Sequence, residues 1–118
     1  MIIKTVELEN FKSHLNTRVD FETGISIIMG DNGAGKSSIL ESISFALFKE
    51  YASKKMDKLI NNDKNQMQVT VLFIANGRTY KVVRKRKRNS SPESMLYVKD
   101  NGRFLVIEKG DAAVSEEI

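Results

Sequence analysis

The chain has 118 residues, enough for one domain with a single hydrophobic core. Hydrophobic residues make up 41% and charged residues 29%, as in ordinary soluble globular proteins, and the lack of cysteine excludes disulfides and thiolate metal sites here. The net charge of +4 is local, because seven of the 19 basic residues and no acid lie between Arg78 and Arg88.

The N-terminal residues predict a protein that is not secreted. Met1–Glu7 includes a lysine and a glutamate, which argues against the apolar segment of a signal peptide. No apolar run approaches the roughly 18 residues that span a bilayer. We therefore expect no membrane contact and a cytoplasmic, nucleoid-associated or nuclear location.

Three strands are predicted before residue 30. Val6 and Leu8 alternate with polar residues, and so do Val19 and Phe21, which is typical of half-buried strands. Ile25–Met29 is almost entirely apolar, as in a strand buried on both faces of a parallel sheet.

A helix follows these strands. Helical spacing of apolar residues predicts it from about Lys36 to about Glu50. The polar residues of Tyr51–Gln66 predict a surface loop with one helical turn. The predicted core face of the helix consists of Ile39, Leu40, Ile43, Ala46 and Leu47.

The second half of the chain predicts antiparallel hairpins. Asn76–Gly77 and Asn101–Gly102 each separate two apolar runs, and Asn-Gly accepts the positive φ angles of a two-residue turn. Asp111 predicts the cap of a helix over 112–117. Because hairpins supply no parallel neighbours for Ile25–Met29, we expect a partial α/β domain with a mixed sheet. The predicted hairpin strands are Val69–Ile74, Thr79–Val83, Leu96–Lys99 and Phe104–Ile107, with a connection over Asn89–Ser94.

Residues 30–37 match a phosphate-binding P-loop. Gly30-Asp31-Asn32-Gly33-Ala34-Gly35-Lys36-Ser37 has the pattern of glycine, four residues, glycine, lysine and serine. The predicted strand before it and the predicted helix after it are the context that the motif requires. The sequence therefore predicts a nucleoside triphosphate site, for ATP with Mg²⁺.

Each P-loop position has a predicted role. Its glycines let backbone N–H groups turn toward phosphate oxygens, and the first helical turn adds free N–H groups and a positive dipole end. Lys36 reaches the β- and γ-phosphates, Ser37 offers its hydroxyl to magnesium, and Ser38 hydrogen-bonds near the α-phosphate. Asn32 faces the γ-phosphate. The predicted set is Asn32, Gly33, Ala34, Gly35, Lys36, Ser37 and Ser38.

No catalytic residue is predicted in this chain. Hydrolysis needs an acidic residue after a second apolar strand, whereas Phe104–Glu108 lacks an Asp-Glu pair and lies in a hairpin. We expect the chain alone to bind nucleotide weakly and to hydrolyse it negligibly. A small phosphotransferase is an alternative, but such kinases continue with parallel strands and a lid.

Three segments carry a family resemblance: Asn10–His14, the Phe21 to Ile25 spacing, and Gly30–Phe48. Together they resemble the N-terminal ATPase lobe of the Rad-fifty family, the SMC-like ABC ATPases of DNA double-strand-break repair. The resemblance implies an ABC-ATPase-like P-loop fold in which residues 1–118 are completed by a C-terminal lobe, from a separate segment or chain. It also implies a homodimer of heads with ATP, a Mre-eleven-type nuclease, DNA, and zinc only at a coiled-coil hook outside this chain.

The resemblance adds residues to the predicted ATP site. It implies that Lys12 and Ser13 contact phosphates, and that Ile60, Asn61 and Asn62 border the adenine. A chromosome-tethering SMC or RecF-like ATPase without a nuclease partner remains an alternative.

The basic run is a candidate DNA contact, since each cation near a phosphate adds salt-dependent affinity. The alternative is a solvated strand end whose charges discourage further pairing. The run comprises Arg84, Lys85, Arg86, Lys87 and Arg88.

The other polar and aromatic side chains predict structural roles. His14 is predicted as a turn or capping contact rather than a catalytic base. Phe45 and Phe48 are predicted to pack in the core or between lobes. Tyr51, Tyr80 and Tyr97 are too far apart in the sequence to predict a base-stacking surface.

Overall fold

A computed structural model describes residues 1–21, 34–48, 56–90, 92–110, 113–114 and 117–118, with side chains given from Ile39 in the long helix and from Lys58 in the short one. The predicted strand Ile25–Met29 and the predicted cap Asp111 lie outside these residues. The described elements are β1 (Ile2–Phe11), β2 (His14–Asp20), α1 (Ala34–Phe48), a 3-10 helix (Met56–Leu59), β3 (Gln66–Ala75), β4 (Arg78–Lys87), β5 (Glu93–Asp100) and β6 (Arg103–Lys109).

The six strands form one sheet in the order β2-β1-β3-β4-β5-β6, and each neighbouring pair is antiparallel. β1 pairs with β3 although α1 lies between them in the chain, and α1 packs against β1, β3 and β4. We call the side of the sheet that carries α1 the inner face, and the opposite side the outer face. The predicted antiparallel hairpins are confirmed, while the parallel part of the predicted mixed sheet concerns residues that are not described.

Both predicted Asn-Gly turns are confirmed. The φ angles are 52° at Asn76 and 75° at Gly77, and 50° at Asn101 and 78° at Gly102. Positive φ at both central residues gives a turn whose twist matches that of the flanking strands. The strands are longer than predicted, with β4 reaching Lys87, because ladder hydrogen bonds join backbone groups whatever the side-chain polarity.

The core lies between α1 and the inner face. Ile43, Ala46 and Leu47 are buried as predicted, and the predicted packing role of Phe45 is confirmed, since its side chain is 1% exposed. Leu40 was wrongly assigned to the core, because it is 46% exposed. With Ser44 and Phe48 it follows the i, i+4, i+8 spacing of one helix face, turned away from the sheet.

The predicted helical turn in the loop after α1 and the predicted C-terminal helix are both partly confirmed. The 3-10 helix Met56–Leu59 supplies the helical turn expected within Tyr51–Gln66. At the C-terminus, the N–H of Val114 donates to the Gly110 carbonyl at 3.0 Å, and the Val114 side chain is buried. No described helix is long and apolar enough to cross a membrane.

A small polar network fixes β2 to β1 at the surface. Arg18 and the Thr5 hydroxyl both donate to Asp20, and these hydrogen bonds, the one from Arg18 first, lower the pKa of the Asp20 carboxyl. A lowered pKa in the folded state stabilises the fold above the unfolded-state pKa, and this contribution is lost as the pH falls through the folded-state value. The network is exposed, so its effect on stability is small.

Candidate nucleotide-binding site

Helix α1 begins inside the P-loop sequence. Its described backbone starts at Ala34, so Ala34, Gly35, Lys36 and Ser37 form its first turn, followed by Ser38. The first four N–H groups of a helix have no acceptor within it and suit a bound anion. Asn32 and Gly33 lie outside the described residues, and for Ala34 to Ser38 only the backbone is described.

The turn between β1 and β2 is held in an unusual backbone conformation. Asn10 and Lys12 have φ angles of 55° and 50°, which L-residues rarely adopt outside turns. Phe11 between them is fully buried and lies 6.5 Å from Phe45, centroid to centroid. The buried ring therefore anchors this turn against α1.

Hydrogen bonds join this turn to the segment after the 3-10 helix. The Lys12 N–H donates to the Leu59 carbonyl at 2.7 Å, and the Asn61 N–H donates to the Asn10 carbonyl at 2.8 Å. The Asn61 side-chain amide also donates to the Lys12 carbonyl at 2.7 Å. Two segments that the family resemblance assigned to one site, 49 residues apart, are thus adjacent.

An ion pair joins the same turn to α1. The ammonium of Lys12 contacts the carboxylate of Glu41, whose side chain is only 10% exposed, against 31% for Lys12. Glu41 lies one helical turn beyond Ser37, so the pair places the Lys12 side chain beside the first part of α1. Sequence reasoning missed Glu41, although it is the only acidic residue between Gly33 and Phe48.

The other residues transferred from the family fare differently. Ile60 is 1% exposed and bridges to Phe11 in the hydrophobic core, so its side chain is not available to border an adenine. Ser13 and Asn62 are exposed, and Asn61 is half-buried. Lys12 therefore contacts α1 through Glu41 and Asn61 lies beside Lys12, whereas the buried side chain of Ile60 is withdrawn from the predicted contacts.

The basic run does not form one surface. Arg84 was wrongly grouped with the candidate DNA contacts, because it is fully buried on the inner face. Its Nε donates to the Ala46 carbonyl at 2.6 Å and its Nη1 to the Ser94 hydroxyl at 3.0 Å. The cause is the strand's period of two, which turns Arg84 toward α1 and Lys85 toward solvent.

Arg88 also has structural partners. Its guanidinium donates to the carbonyls of Lys64 and Asn61, each at 3.0 Å, and so braces the loop before β3. Lys85 and Lys87 are exposed on the outer face, and Arg86 is half-buried. The accessible cations of the run are therefore chiefly these two lysines.

The other side chains with possible catalytic or metal-binding chemistry, among them His14 and Glu108, have structural roles within the described residues. Nδ1 of His14 lies 2.9 Å from the Thr17 hydroxyl within β2, a structural contact made in the strand rather than in the predicted turn or cap. Within the described residues, no three acidic or histidine side chains come together as a metal site. Glu108 lies on β6, a hairpin strand, as expected.

Comparison with known proteins decides the family. A family model described as an AAA domain matches residues 5–118, nearly the whole chain. The chain belongs to the AAA domain family.

Curated relatives confirm the resemblance to the Rad-fifty family. The DNA double-strand break repair Rad50 ATPase of Methanocaldococcus jannaschii is 45% identical over 84 residues, which are 71% of this chain and 8% of the relative. The enzyme of the same name from Thermoplasma acidophilum is 39% identical over 113 residues, 95% of this chain and 13% of the relative. The chain is of Rad50 type and spans only about a tenth of the length of these relatives.

Solved structures confirm the P-loop ATPase fold. This AAA-family chain is similar to the recombination mediator RecF in a structure titled RecF-ATP, with a TM-score of 0.69 and 26% identity over 87% of this chain and 28% of that one. It is also similar to the SMC head domain of Thermotoga maritima, with a TM-score of 0.59 and 24% identity over 89% of this chain and 39% of that one.

Proposed function

We propose that this chain binds ATP and Mg²⁺ as one lobe of an ATPase that acts in DNA double-strand-break repair. The observation that carries the proposal is the start of α1 at Ala34, inside a complete P-loop sequence, in a chain related to Rad50 ATPases. The helix is held in place by its buried residues Phe45, Ala46 and Leu47. A firmly packed helix with its N-terminus at the loop suits a triphosphate, which needs fixed N–H donors.

The residues at the start of α1 fit a magnesium–triphosphate ligand. The first-turn amides offer donors to phosphate oxygens, Lys36 adds an ammonium, and the Ser37 hydroxyl is an oxygen ligand of the type that Mg²⁺ prefers. Bound Mg²⁺ would neutralise charge on the β- and γ-phosphates. The protein's own part is to place the triphosphate and to keep its terminal group in a fixed direction.

Lys12 extends this site from the β1–β2 turn. Its ammonium lies against Glu41 on α1, and hydrogen bonds through Leu59 and Asn61 hold its backbone in place. We propose that Lys12 and Ser13 contact the phosphates, with Asn61 and Asn62 at the nucleoside end. Glu41 orients the lysine, because a largely buried carboxylate is costly unless its charge is paired.

Hydrolysis requires residues beyond this chain. We propose that residues 1–118 form the N-terminal lobe of a head, that a C-terminal lobe supplies the acidic residue for hydrolysis, and that two heads dimerise around ATP. A Mre-eleven-type nuclease and DNA are the proposed partners, with DNA meeting the outer-face lysines 85 and 87, and the proposed location is the cytoplasm, the nucleoid or the nucleus. A zinc hook is proposed only outside residues 1–118.

The second candidate is a RecF-like or SMC-like ATPase that tethers or loads DNA without a nuclease. The similarity to RecF, at a TM-score of 0.69, favours it. The identities of 39% and 45% to Rad50 ATPases favour the repair function over it.

Calorimetry with Lys36→Ala tests the ATP site. The variant loses the hydrogen bond from the Lys36 ammonium to a charged phosphate, which contributes about 1.5–3 kcal/mol. In the assembled ATPase, meaning this chain together with its C-terminal lobe, we therefore expect MgATP affinity to fall by roughly two orders of magnitude. Lys109→Ala removes an exposed lysine on β6 and serves as the matched control, with unchanged affinity. Unchanged MgATP binding by Lys36→Ala would contradict the proposed site.

A further inference from the structure

Two aromatic rings and a lysine meet on the outer face. The Lys81 ammonium lies 4.4 Å from the ring centroid of Tyr97 and 4.6 Å from that of Phe104. Lys81 on β4 stands directly opposite Tyr97 on β5, and Phe104 on β6 stands opposite Lys99. Three strands that are consecutive in the sheet therefore present one cluster of rings and cations, which no single stretch of sequence contains.

The surroundings of this cluster are positively charged. Lys81, Lys85 and Lys87 share the outer face of β4, because their positions differ by even numbers. None of these three, nor Lys99, lies within ion-pair distance of a carboxylate among the described residues. Glu93 is the acid nearest in register, opposite Lys85, so the outer faces of β4 and β5 carry four lysines against one glutamate.

A separate groove lies farther along the outer face, at the end of β4 that carries Lys85 and Lys87. It measures about 410 Å³ and is lined in part by Lys85, Lys87, Gln66 and Gln68, with Glu9 and Glu93 on either side of Lys85. With Arg86 also in its lining, the groove has three cations against two glutamates, and Lys81 and Lys99 add further positive charge outside it. We call Lys81, Lys85, Tyr97, Lys99 and Phe104 the aromatic–lysine patch.

We propose that the aromatic–lysine patch binds single-stranded DNA by stacking an unpaired base on Tyr97 and Phe104, with neighbouring phosphates on Lys81, Lys85 and Lys99. The proposal deepens the proposed function, since it rests on DNA being a partner. Rings beside cations on a sheet are the features with which proteins hold unpaired nucleotides. Tyr97 and Phe104 lie on different strands on either side of a turn, so only the pairing of β5 with β6 brings the two rings together.

The contacts within the patch are weak enough to exchange for a nucleotide. A cation–π contact at an exposed site contributes less than a stacked base does, so Lys81 can move from the rings to a phosphate when a base arrives. The Tyr97 hydroxyl donates to the Met95 sulfur at 3.4 Å, and a thioether is a weak acceptor. Both rings are half-buried, so they are supported by the sheet yet reachable from solvent.

Stacking separates single strands from duplex. Bases within a duplex already stack on one another, so the two rings add nothing to duplex binding, whereas lysines attract phosphates of either form. We therefore expect substitution of the aromatic residues to lower the affinity for single-stranded DNA alone. Substitution of the lysines should lower the affinity for single-stranded and duplex DNA alike.

Fluorescence anisotropy with the assembled ATPase tests the proposal, using a labelled single-stranded oligonucleotide and a blunt duplex of the same sequence. Tyr97→Leu removes the ring but keeps apolar bulk, and we expect single-strand affinity to fall about tenfold or more, with duplex affinity unchanged. Tyr97→Phe keeps the ring and is the matched control, with both affinities retained. A 2-aminopurine in the oligonucleotide should be quenched on binding by wild type and by Tyr97→Phe, and less by Tyr97→Leu.

The outcomes are distinguishable from a failure of the proposed function. Equal loss for both DNA forms, or no loss for single strands, in a Tyr97→Leu variant with unchanged thermal unfolding, overturns the stacking site and leaves the ATP site standing. A wild-type assembly that binds neither DNA form overturns the stacking site and the proposed DNA contact together. A wild-type assembly that fails to bind MgATP overturns the proposed ATPase, while Tyr97-dependent binding of single strands would still support the patch.

Discussion

At the scale of single residues, Arg84 shows how a charge can serve the interior. Its guanidinium is fully buried and donates to Ala46, one of the last four carbonyls of α1, and to Ser94 on β5. Those terminal carbonyls have no partner within the helix, and a cation near them opposes the negative end of the helix dipole. Arg84 thus joins the C-terminal end of α1 to two strands at once.

Replacing Arg84 should destabilise the fold. Arg84→Met removes the hydrogen bonds from Arg84 to the Ala46 carbonyl and to the Ser94 hydroxyl, and loss of such buried hydrogen bonds to a charged donor costs about 1–3 kcal/mol, part of which is regained because a buried charge is removed. We expect the free energy of unfolding to fall by about 1–3 kcal/mol in urea denaturation followed by circular dichroism. Lys85→Met, one residue along β4 and exposed, should change it by less than about 0.5 kcal/mol. Equal stabilities of the two variants would refute the buried role of Arg84.

Sequence alone could not assign Arg84 or Glu41. The assignment of Arg84 depends on β4 continuing past Val83, and five consecutive basic residues carry no alternation from which to choose a face. Glu41 matters because a turn 29 residues earlier brings Lys12 to it, a contact set by the fold rather than by spacing. The P-loop positions stay a prediction from a local sequence pattern, of which the structure describes the backbone from Ala34 onward.

At the scale of elements, local rules succeeded where one signal decided the structure. Asn-Gly specified both hairpin turns, since few other pairs accept two successive positive φ angles. The helix was located correctly, and its inner face was predicted except at Leu40, because Ile39, Leu40, Phe45 and Phe48 make the helix apolar nearly all round. Periodicity cannot choose a face when the polar side is missing.

The Asn76–Gly77 turn between β3 and β4 offers a test of backbone strain that does not change side-chain packing. Gly77 has a φ of +75°, and a Cβ added there would meet no atom within 4 Å. Gly77→Ala should therefore cost only the left-handed backbone penalty, about 1–2 kcal/mol in unfolding free energy. Gly77→Asn should cost less, because asparagine tolerates this conformation. If alanine and asparagine gave the same unfolding midpoint in thermal denaturation, strain at this turn would not be the cause.

At the scale of the whole molecule, the order of the strands was beyond sequence reasoning. Alternation identifies strands but not their partners, and β3 pairs with β1 across more than 50 intervening residues. That pairing places α1 on the inner face and brings Asn10–Ser13 to Leu59–Asn62. It also leaves β2 and β6 as the edge strands of the described sheet. The pairing of β1 with β3 therefore determines both the position of the candidate site and which strands lie at the edges of the described sheet.

The β6 edge should govern how the chain behaves at high concentration. Leu105 lies opposite Val98 on the inner face and is 49% exposed, Ile107 is 39% exposed, and no further strand pairs with β6 among the described residues. An apolar edge strand is a template for pairing with another chain, so we expect concentration-dependent association of the 118-residue chain in sedimentation velocity.

Leu105→Lys should weaken that association, because a charge on an edge strand disfavours pairing, and the side chain is exposed enough to leave the unfolding free energy nearly unchanged. Leu105→Thr keeps a neutral, strand-compatible side chain and should associate more than the lysine variant does. A wild-type chain that stays monomeric over the same concentrations would show that Lys109 and the twist of the sheet already protect this edge.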